Sequence, residues 1–191
     1  MAPMKAAYPR VSFADLEKWP EDGRRYELYD GEVSVVPSPL PVHQIILGRL
    51  HTALQRYVDQ HGGLVLTAPL DIVLTAHDVV QPDVIFFAAN RQHLVHLHQV
   101  TRDAPDLAVE ILSPSTAGKD RGPKMHLLAR HGVRELWLID PDAETMEIYS
   151  LTGDRYFLAS KAGGHERVDS PVLPHLVLIA ASIFPEVERE R

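Results

Sequence analysis

Two segments near the start of the chain are predicted to be helical. In the longer one, apolar residues recur at the three- and four-residue spacing that places them on one face of a helix. These positions are Val42, Ile45, Ile46, Leu50, Ala53, Leu54, Tyr57 and Val58. Pro41 suits the first turn of this helix, and Gly62-Gly63 ends it. The shorter helix comes earlier, where Ser12 is the N-cap, Asp15 follows in the first turn, and Trp19-Pro20 ends the helix.

A β-hairpin is predicted between the two helices. Arg25–Tyr29 and Glu32–Val36 flank Asp30-Gly31, a dipeptide typical of two-residue hairpin turns. Successive side chains of a strand point to opposite faces, so the hairpin presents two different surfaces. The face expected to point toward the core carries Tyr26, Leu28, Val33 and Val35, and the opposite face carries Glu27, Tyr29, Glu32 and Ser34.

Short apolar and β-branched runs follow, and they predict strands. The runs are Leu64–Leu74 around Pro69, Asp83–Ala88, Asp106–Leu112 and Glu135–Asp140, and a later hairpin is predicted from Met146–Ser150 and Tyr156–Ala159. Thr116–His131, between two of these strands, is predicted to be helical and to close at Gly132. A strand, a helix and a second strand in this order favour a right-handed crossover with a parallel strand pair.

These elements predict an α/β fold. We expect a mixed sheet flanked by helices, with the long helix on one face and the later helix on the other, and with an N-terminal hairpin and a C-terminal hairpin extension. The 191 residues suit a single domain over residues 1–191, with a core at about residues 25–140 and a C-terminal hairpin and tail at 141–191.

Composition excludes several classes of protein. The chain has no cysteine, which excludes a disulfide framework, a thiolate zinc site and a cysteine nucleophile. No stretch approaches the roughly 20 apolar residues of a membrane span, and Met1–Arg10 lacks the apolar segment of a signal peptide. We therefore expect a cytoplasmic protein that does not enter a membrane. The net charge of −7 argues against a general nucleic-acid coating protein, but it leaves room for an acidic metal site.

Glu110 is the most informative single residue. It lies within a run that is otherwise apolar on both faces, as in a strand covered on both sides. A buried carboxylate costs several kcal/mol unless it is paired, hydrogen-bonded or bound to a metal. Two interpretations follow: a functional metal ligand, or a structural salt bridge to Arg121 or Lys124.

Asp83 becomes a candidate metal ligand when it is considered together with Glu110. It opens an apolar strand directly after Pro82, and alone it would be an ordinary turn residue. If its strand neighbours that of Glu110, the strands lie about 4.8 Å apart, which allows both carboxylates to hold one hard cation. Lys124 follows on the next predicted helix, which packs back across the sheet. Two carboxylates, a divalent cation and a lysine are the groups that phosphodiester hydrolysis requires.

A set of short motifs recurs in this order along the chain. They are Tyr26-Glu27-Leu28-Tyr29-Asp30-Gly31-Glu32, His43-Gln44, Gln81-Pro82-Asp83 and Val109-Glu110-Ile111-Leu112-Ser113-Pro114-Ser115-Thr116, followed by Asp120-Arg121 and Lys124. Together they resemble the Uma-type family, whose bacterial members are described as restriction endonucleases, a branch of the PD-(D/E)XK nuclease superfamily. The resemblance covers roughly residues 13–184.

The resemblance implies roles for several of these residues. Asp83 and Glu110 would take the two metal-binding acid positions, and the backbone carbonyl of Ile111 would complete the coordination. Leu112 stands where the superfamily's lysine would normally be, so Lys124 on the following helix would replace it. Pro123 directly precedes Lys124, so it should lie in the first turn of that helix or kink it.

The implied activity is that of an endonuclease that uses Mg²⁺, with Mn²⁺ able to substitute. Glu32 and His43 are further catalytic candidates, since related nucleases use an acidic or polar residue from this region. The expected partner is nucleic acid, DNA in the first instance, and double-strand cleavage would suit a homodimer. Two alternatives stay open: a catalytically silent module that binds nucleic acid or protein, and a nuclease that acts on RNA or on particular nucleic-acid structures.

Overall fold

The structure is a computed structural model that describes residues 9–186. The helices are α1 (Phe13–Leu16), α2 (Pro41–His61), α3 (Ala117–Lys119) and α4 (Met125–Arg130). The strands are β1 (Arg25–Tyr29), β2 (Glu32–Val36), β3 (Leu64–Thr67), β4 (Ile72–Val73), β5 (Val79–Val80), β6 (Val84–Phe87), β7 (Leu107–Ile111), β8 (Glu135–Asp140), β9 (Thr145–Thr152) and β10 (Arg155–Gly163). Most of Met1–Arg10, where no signal peptide is predicted, and the charged end of the chain lie outside the described residues.

A six-stranded mixed sheet forms the centre of the molecule. Its strand order is β10-β9-β8-β7-β6-β3, and within it β7 and β8 are parallel while the other neighbours are antiparallel. The alternation along β7 divides the core as predicted. Val109 packs in the cluster beneath α2, and Ala108 packs in the cluster on the α4 side. The expected α/β fold with helices on both faces is therefore confirmed.

The long helix α2 begins and ends where the sequence predicts. Pro41 lies in its first turn, and Gly62 caps its C-terminus with a positive φ of 77°. Its buried residues Ile46, Leu50 and Leu54 pack against the central sheet. The periodic apolar face thus explains both the length of the helix and the way it packs.

The predicted N-terminal hairpin is present, but its burial differs from the prediction. β1 and β2 pair antiparallel around Asp30-Gly31 in a second sheet of order β2-β1-β5-β4. On the face expected to be buried, Val33 and Val35 are 39% and 48% exposed, although Leu28 is fully buried. β2 is the edge strand, and the small cluster around Leu28 does not extend over it. The opposite face, which carries Glu27, packs against the rest of the protein instead.

The segment between β7 and β8 is broken into three helical pieces. α3 and α4 are joined by a π-helical turn, Asp120–Lys124, in which Gly122 has non-helical angles (φ −120°, ψ −105°) and Pro123 follows it. The kink predicted at Pro123 is confirmed. It leaves both Asp120 and Lys124 buried, turned toward the sheet rather than toward solvent.

The C-terminal hairpin β9–β10 extends the central sheet, and the chain then returns over β8. Glu135 holds this return, because its carboxylate accepts hydrogen bonds from Ser170 Oγ, Val172 N and Trp137 Nε1. Among residues 9–186 no helix is both long and apolar enough to cross a membrane.

Candidate active site

A cavity of about 420 Å³ opens at the carboxyl end of β7. Its lining includes the proline-containing connection between β2 and α2, with Pro37 and Pro39, and the Ser113–Thr116 loop. The carboxyl end of a sheet strand is where ligands bind in many α/β folds, because the loops that leave the strands converge there. The charged residues lining the cavity are Arg25, Glu27, Asp83, Glu110, Lys119, Asp120, Lys124 and Asp142.

Asp83 and Glu110 lie on neighbouring strands, as the sequence predicts. β6 and β7 are antiparallel, with Val84 opposite Val109. One residue further along this register, Asp83 stands opposite Glu110. Oδ2 of Asp83 accepts a hydrogen bond of 2.7 Å from the backbone N–H of Ile111. The bond joins Asp83 to the strand that carries Glu110.

Glu110 is almost fully buried. Its carboxylate lies on the α4 side of β7, and Oε1 is 2.7 Å from Nζ of Lys124. Burial raises the pKa of Glu110 well above its usual range; Lys124 opposes this rise, and the neighbouring carboxylates of Asp120, Asp83 and Glu27 add to it. Oε1 accepts no hydrogen bond of good angle despite the ionic contact. The contact of Glu110 with Lys124 is therefore ionic rather than a well-aligned hydrogen bond.

Lys124 lies between two carboxylates. Its Nζ is 2.7 Å from Glu110 Oε1 and 2.8 Å from Glu27 Oε1. A longer contact of 3.4 Å reaches the backbone carbonyl of Gln81. Burial alone would lower the pKa of Lys124, but Glu110 and Glu27 outweigh it and raise that pKa above its usual value. The side chain therefore stays protonated, and the salt bridge from Glu110 to Lys124, one of the two structural alternatives, is formed.

Glu27 is one of two buried carboxylates at this site, with Asp120, that were not among the predicted site residues. It is as buried as Glu110 and accepts hydrogen bonds from Gln81 N at 2.8 Å and from Tyr29 Oη at 2.7 Å. Burial opposes its ionisation, yet Lys124 and these donors lower its pKa below the usual value. Glu32, the predicted candidate from the same hairpin, is exposed and does not line the cavity. Alternation places Glu27 on the same face of the hairpin as Tyr29, but it places Glu32 there too, so no signal in the sequence separates the two glutamates.

Asp120 adds a further buried carboxylate. It lines the cavity, and burial raises its pKa above the usual value while Lys124 and a bond from Thr116 oppose that rise. With Glu27, Asp83 and Glu110, it lines the same cavity as Lys124. The site therefore carries a surplus of negative charge.

His43 reaches the site from the first turn of α2. Its Nε2 lies 3.1 Å from Oδ2 of Asp83. Its Nδ1 is buried and has no hydrogen-bond partner among the described residues. His43 is thus brought to the predicted acid pair, unlike Glu32.

The donor set suits a hard divalent cation. Asp83 and Glu110 offer carboxylate oxygens, and one of these, Oε1 of Glu110, is buried without a hydrogen bond. Within residues 9–186 no three acidic or histidine side chains meet as a complete metal cluster. Mg²⁺ is commonly held by one or two carboxylates and several waters, so a complete cluster is not required. The surplus of negative charge, and an oxygen that makes an ionic contact but no hydrogen bond, fit such an ion.

Comparison with known proteins places the chain in a family. The model of the Uma2 family, described as "Putative restriction endonuclease", matches residues 13–182. The chain belongs to the Uma2 family. The match confirms the resemblance carried by the sequence motifs, and the residues of the cavity lie within the range matched by the Uma2 model.

Two similar proteins extend the comparison. The "Uncharacterized protein slr1290" of Synechocystis is 25% identical over 167 residues, which are 86% of each chain. A crystal structure from Anabaena variabilis, described as that of "a putative nuclease belonging to DUF820", has a TM-score of 0.76 at 22% identity. That likeness covers 91% of this chain and 97% of the other chain, and at this identity it shows the fold. The Uma2 chain described above therefore has a fold already seen by crystallography.

Proposed function

We propose that this Uma2-family protein is a divalent-metal-dependent endonuclease that hydrolyses phosphodiester bonds, with DNA as its substrate. The observation that carries the proposal is the pairing of Asp83 and Glu110 across β6 and β7, at a cavity with surplus negative charge and a protonated lysine. Family membership supports a nuclease. The neighbouring crystal structure, itself described as a nuclease, supports the same class.

Asp83, Glu110 and the backbone carbonyl of Ile111 would hold the metal ion. When bound, Mg²⁺ polarises a phosphate group and lowers the pKa of a bound water. Asp83 is prepared for this role because Ile111 N–H and His43 occupy Oδ2, leaving Oδ1 available for a cation. Lys124, held protonated, would neutralise the negative charge that develops on the phosphate group in the transition state.

The proposed reaction is the hydrolysis of a phosphodiester bond. A water oxygen bonds to phosphorus, the bond between phosphorus and the 3′ oxygen breaks, and a proton passes to that oxygen. The products are a 5′-phosphate and a 3′-hydroxyl. Arg25 and Lys119 line the cavity and supply positive charge for the flanking phosphates of a strand. Cleavage of both strands of a duplex requires two such sites, for which we propose a homodimer.

One observation favours the second candidate, a silent binding module that keeps the nuclease fold. Lys124 neutralises Glu110 within the protein itself, as a purely structural ion pair would. The two candidates differ in what a divalent cation does. In a nuclease the cation binds to both Asp83 and Glu110 although Lys124 is close by. In a silent module no cation binds, and the ion pair between Lys124 and Glu110 stays intact.

The deciding experiment combines cation binding with cleavage. The purified protein is titrated calorimetrically with Mn²⁺ and incubated with end-labelled DNA and RNA oligonucleotides in Mg²⁺, Mn²⁺ or EDTA. We expect Mn²⁺ to bind, and DNA to be cut in metal but not in EDTA. Asp83→Asn and Glu110→Gln should abolish cleavage. Binding of DNA with neither Mn²⁺ binding nor cleavage would establish the silent module, and preferential cutting of RNA would correct the substrate.

A further inference from the structure

Glu27 makes a set of contacts that an ordinary hairpin residue would not need. Its Oε1 is 2.8 Å from Nζ of Lys124 and accepts the backbone N–H of Gln81 at 2.8 Å, while Oε2 accepts the hydroxyl of Tyr29 at 2.7 Å. Glu27 lies far from Lys124 in the chain, and its side chain is only 4% exposed. A carboxylate that is so deeply buried and so fully bonded has one well-defined position.

The Gln81 backbone connects this carboxylate to the metal-binding strand. Its N–H donates to Glu27 and its carbonyl accepts from Lys124, and Pro82 and Asp83 follow directly in the chain. The hairpin, the lysine and the start of β6 therefore form one bonded unit. A displacement of Glu27 would therefore also shift Lys124 and the segment that carries Asp83.

Lys124 lies where it could hinder cation binding at Glu110, and Glu27 reduces this hindrance. With Glu110 as its only counter-ion, the ammonium group would compete with any cation for the same carboxylate oxygen. A cation at Glu110 would also repel the ammonium by like charge. Glu27 offers a second buried counter-ion on the other side of Lys124. Glu27 can therefore hold Lys124 in the cavity while Glu110 binds a cation.

We infer that Glu27 is a positioning residue that retains Lys124 in the site and frees Glu110 for the divalent cation. The inference rests on the proposed function, and it assigns the acidic contribution of the N-terminal hairpin to Glu27. Glu32, in the same short motif, is exposed and outside the cavity, so it provides a matched comparison.

The test measures Mn²⁺ affinity by calorimetry in the parent, Glu27→Gln, Glu32→Gln, and the double variant Glu27→Gln with Lys124→Met. Glutamine preserves the size of the side chain and can still accept the Gln81 N–H, but it carries no charge. We expect Glu27→Gln to weaken Mn²⁺ binding by about tenfold, the usual effect of losing an outer-shell partner. The double variant should recover the parental affinity, because the competing ammonium is gone. Glu32→Gln should bind like the parent.

Cleavage kinetics supply a second readout. Glu27→Gln should lower kcat more than it raises KM at saturating Mn²⁺, since the misplaced group acts on the reaction rather than on strand binding. Glu27→Asp, which keeps the charge, should recover part of the loss. Thermal unfolding of each variant verifies that the proteins are folded.

The possible outcomes separate this inference from the function on which it rests. If the parent binds Mn²⁺ and cuts DNA while Glu27→Gln does both equally well, the role of Glu27 is wrong and the nuclease stands. A double variant as weak as Glu27→Gln would make Glu27 merely structural and overturn its role through Lys124. A parent that neither binds Mn²⁺ nor cuts nucleic acid would overturn both.

Discussion

The backbone N–H of Ile111 donates a hydrogen bond of 2.7 Å to Oδ2 of Asp83. This bond crosses from β7 to the residue that precedes β6, so it sets the acid relative to the strand of Glu110. It also uses one oxygen of Asp83 and leaves the other for a ligand. The two oxygens of Asp83 therefore have different roles, and substitution of Asp83 can test them.

Asp83→Asn should remove cation binding without unfolding the protein. The amide oxygen can still accept the Ile111 N–H, but it carries no charge to offer a cation. Because changing an outer-shell partner already costs about 10- to 100-fold in metal affinity, we expect a direct ligand to cost more than that. Mn²⁺ calorimetry measures the change, and Asp59→Asn on the exposed side of α2 is the matched control. Unchanged affinity in Asp83→Asn would remove Asp83 from the metal site.

Glu110→Gln should leave stability equal or higher in the absence of metal once the pH exceeds the raised pKa of Glu110. The folded state raises the pKa of Glu110, so the residue's contribution to stability is complete below its unfolded pKa and is lost as the pH rises through the folded pKa. Above that range the ionised carboxylate is an unfavourable charge that glutamine removes. Urea denaturation in EDTA measures the effect. A loss of about 3–5 kcal/mol, the cost of breaking a structural buried pair, would show that Glu110 serves the salt bridge.

Cation binding should weaken as the pH falls. A proton and a cation compete for Glu110, whose pKa burial and its acidic neighbours raise well above the usual range. Mn²⁺ affinity should therefore increase with pH until Glu110 is ionised, and then level off. Calorimetric titrations between about pH 5 and pH 8 follow this change, since an unperturbed glutamate titrates near pH 4.3. An affinity that is constant over this interval would contradict the competition.

Asp78→Asn should destabilise the fold away from the active site. Asp78 is buried, and it accepts hydrogen bonds from Asp30 N and Thr75 Oγ1 and pairs with Arg130. Burial opposes its ionisation, yet these partners lower its pKa, so its stabilisation is present above the unfolded pKa and is lost as the pH falls through the folded pKa. We expect a loss of about 2 kcal/mol at pH 7, typical of hydrogen bonds to a charged group.

Urea denaturation of Asp78→Asn at neutral and at acidic pH provides the measurement. The difference from the parent should shrink as the acid protonates Asp78. Asp154→Asn, in an exposed turn of the C-terminal hairpin, is the control and should unfold like the parent at both pH values. An equal loss for Asp78→Asn at both pH values would mean that shape, rather than charge, sets its contribution.

Much of the fold follows from short stretches of sequence. Pro41 and Gly62 delimit α2, and Asp30-Gly31 forms the hairpin turn, because helix termini and tight turns depend on the backbone preferences of a few adjacent residues. The strand of Glu110 is recognisable because both of its faces are apolar. β6, the strand that follows Asp83, pairs with it as predicted.

The site depends on contacts that no short stretch contains. Alternation places Glu27 and Glu32 on the same face of the hairpin, and only the packing of Lys124 against that face makes Glu27 the buried one. The exposure of Val33 and Val35 also depends on tertiary packing, because nothing within the described residues covers the edge strand β2.

The sequence by itself determined the α/β class, the family, the long helix and the choice of Asp83 and Glu110 as candidate acids. Those features come from periodicity, turn residues and motifs, which are properties of residues close together in the chain. Only the tertiary structure decided that Lys124 lies between Glu110 and Glu27, and that His43 reaches Asp83 while Glu32 faces solvent. Ion pairing and burial depend on distances across the folded molecule, and these are set when the hairpin, the kinked segment and the sheet pack together.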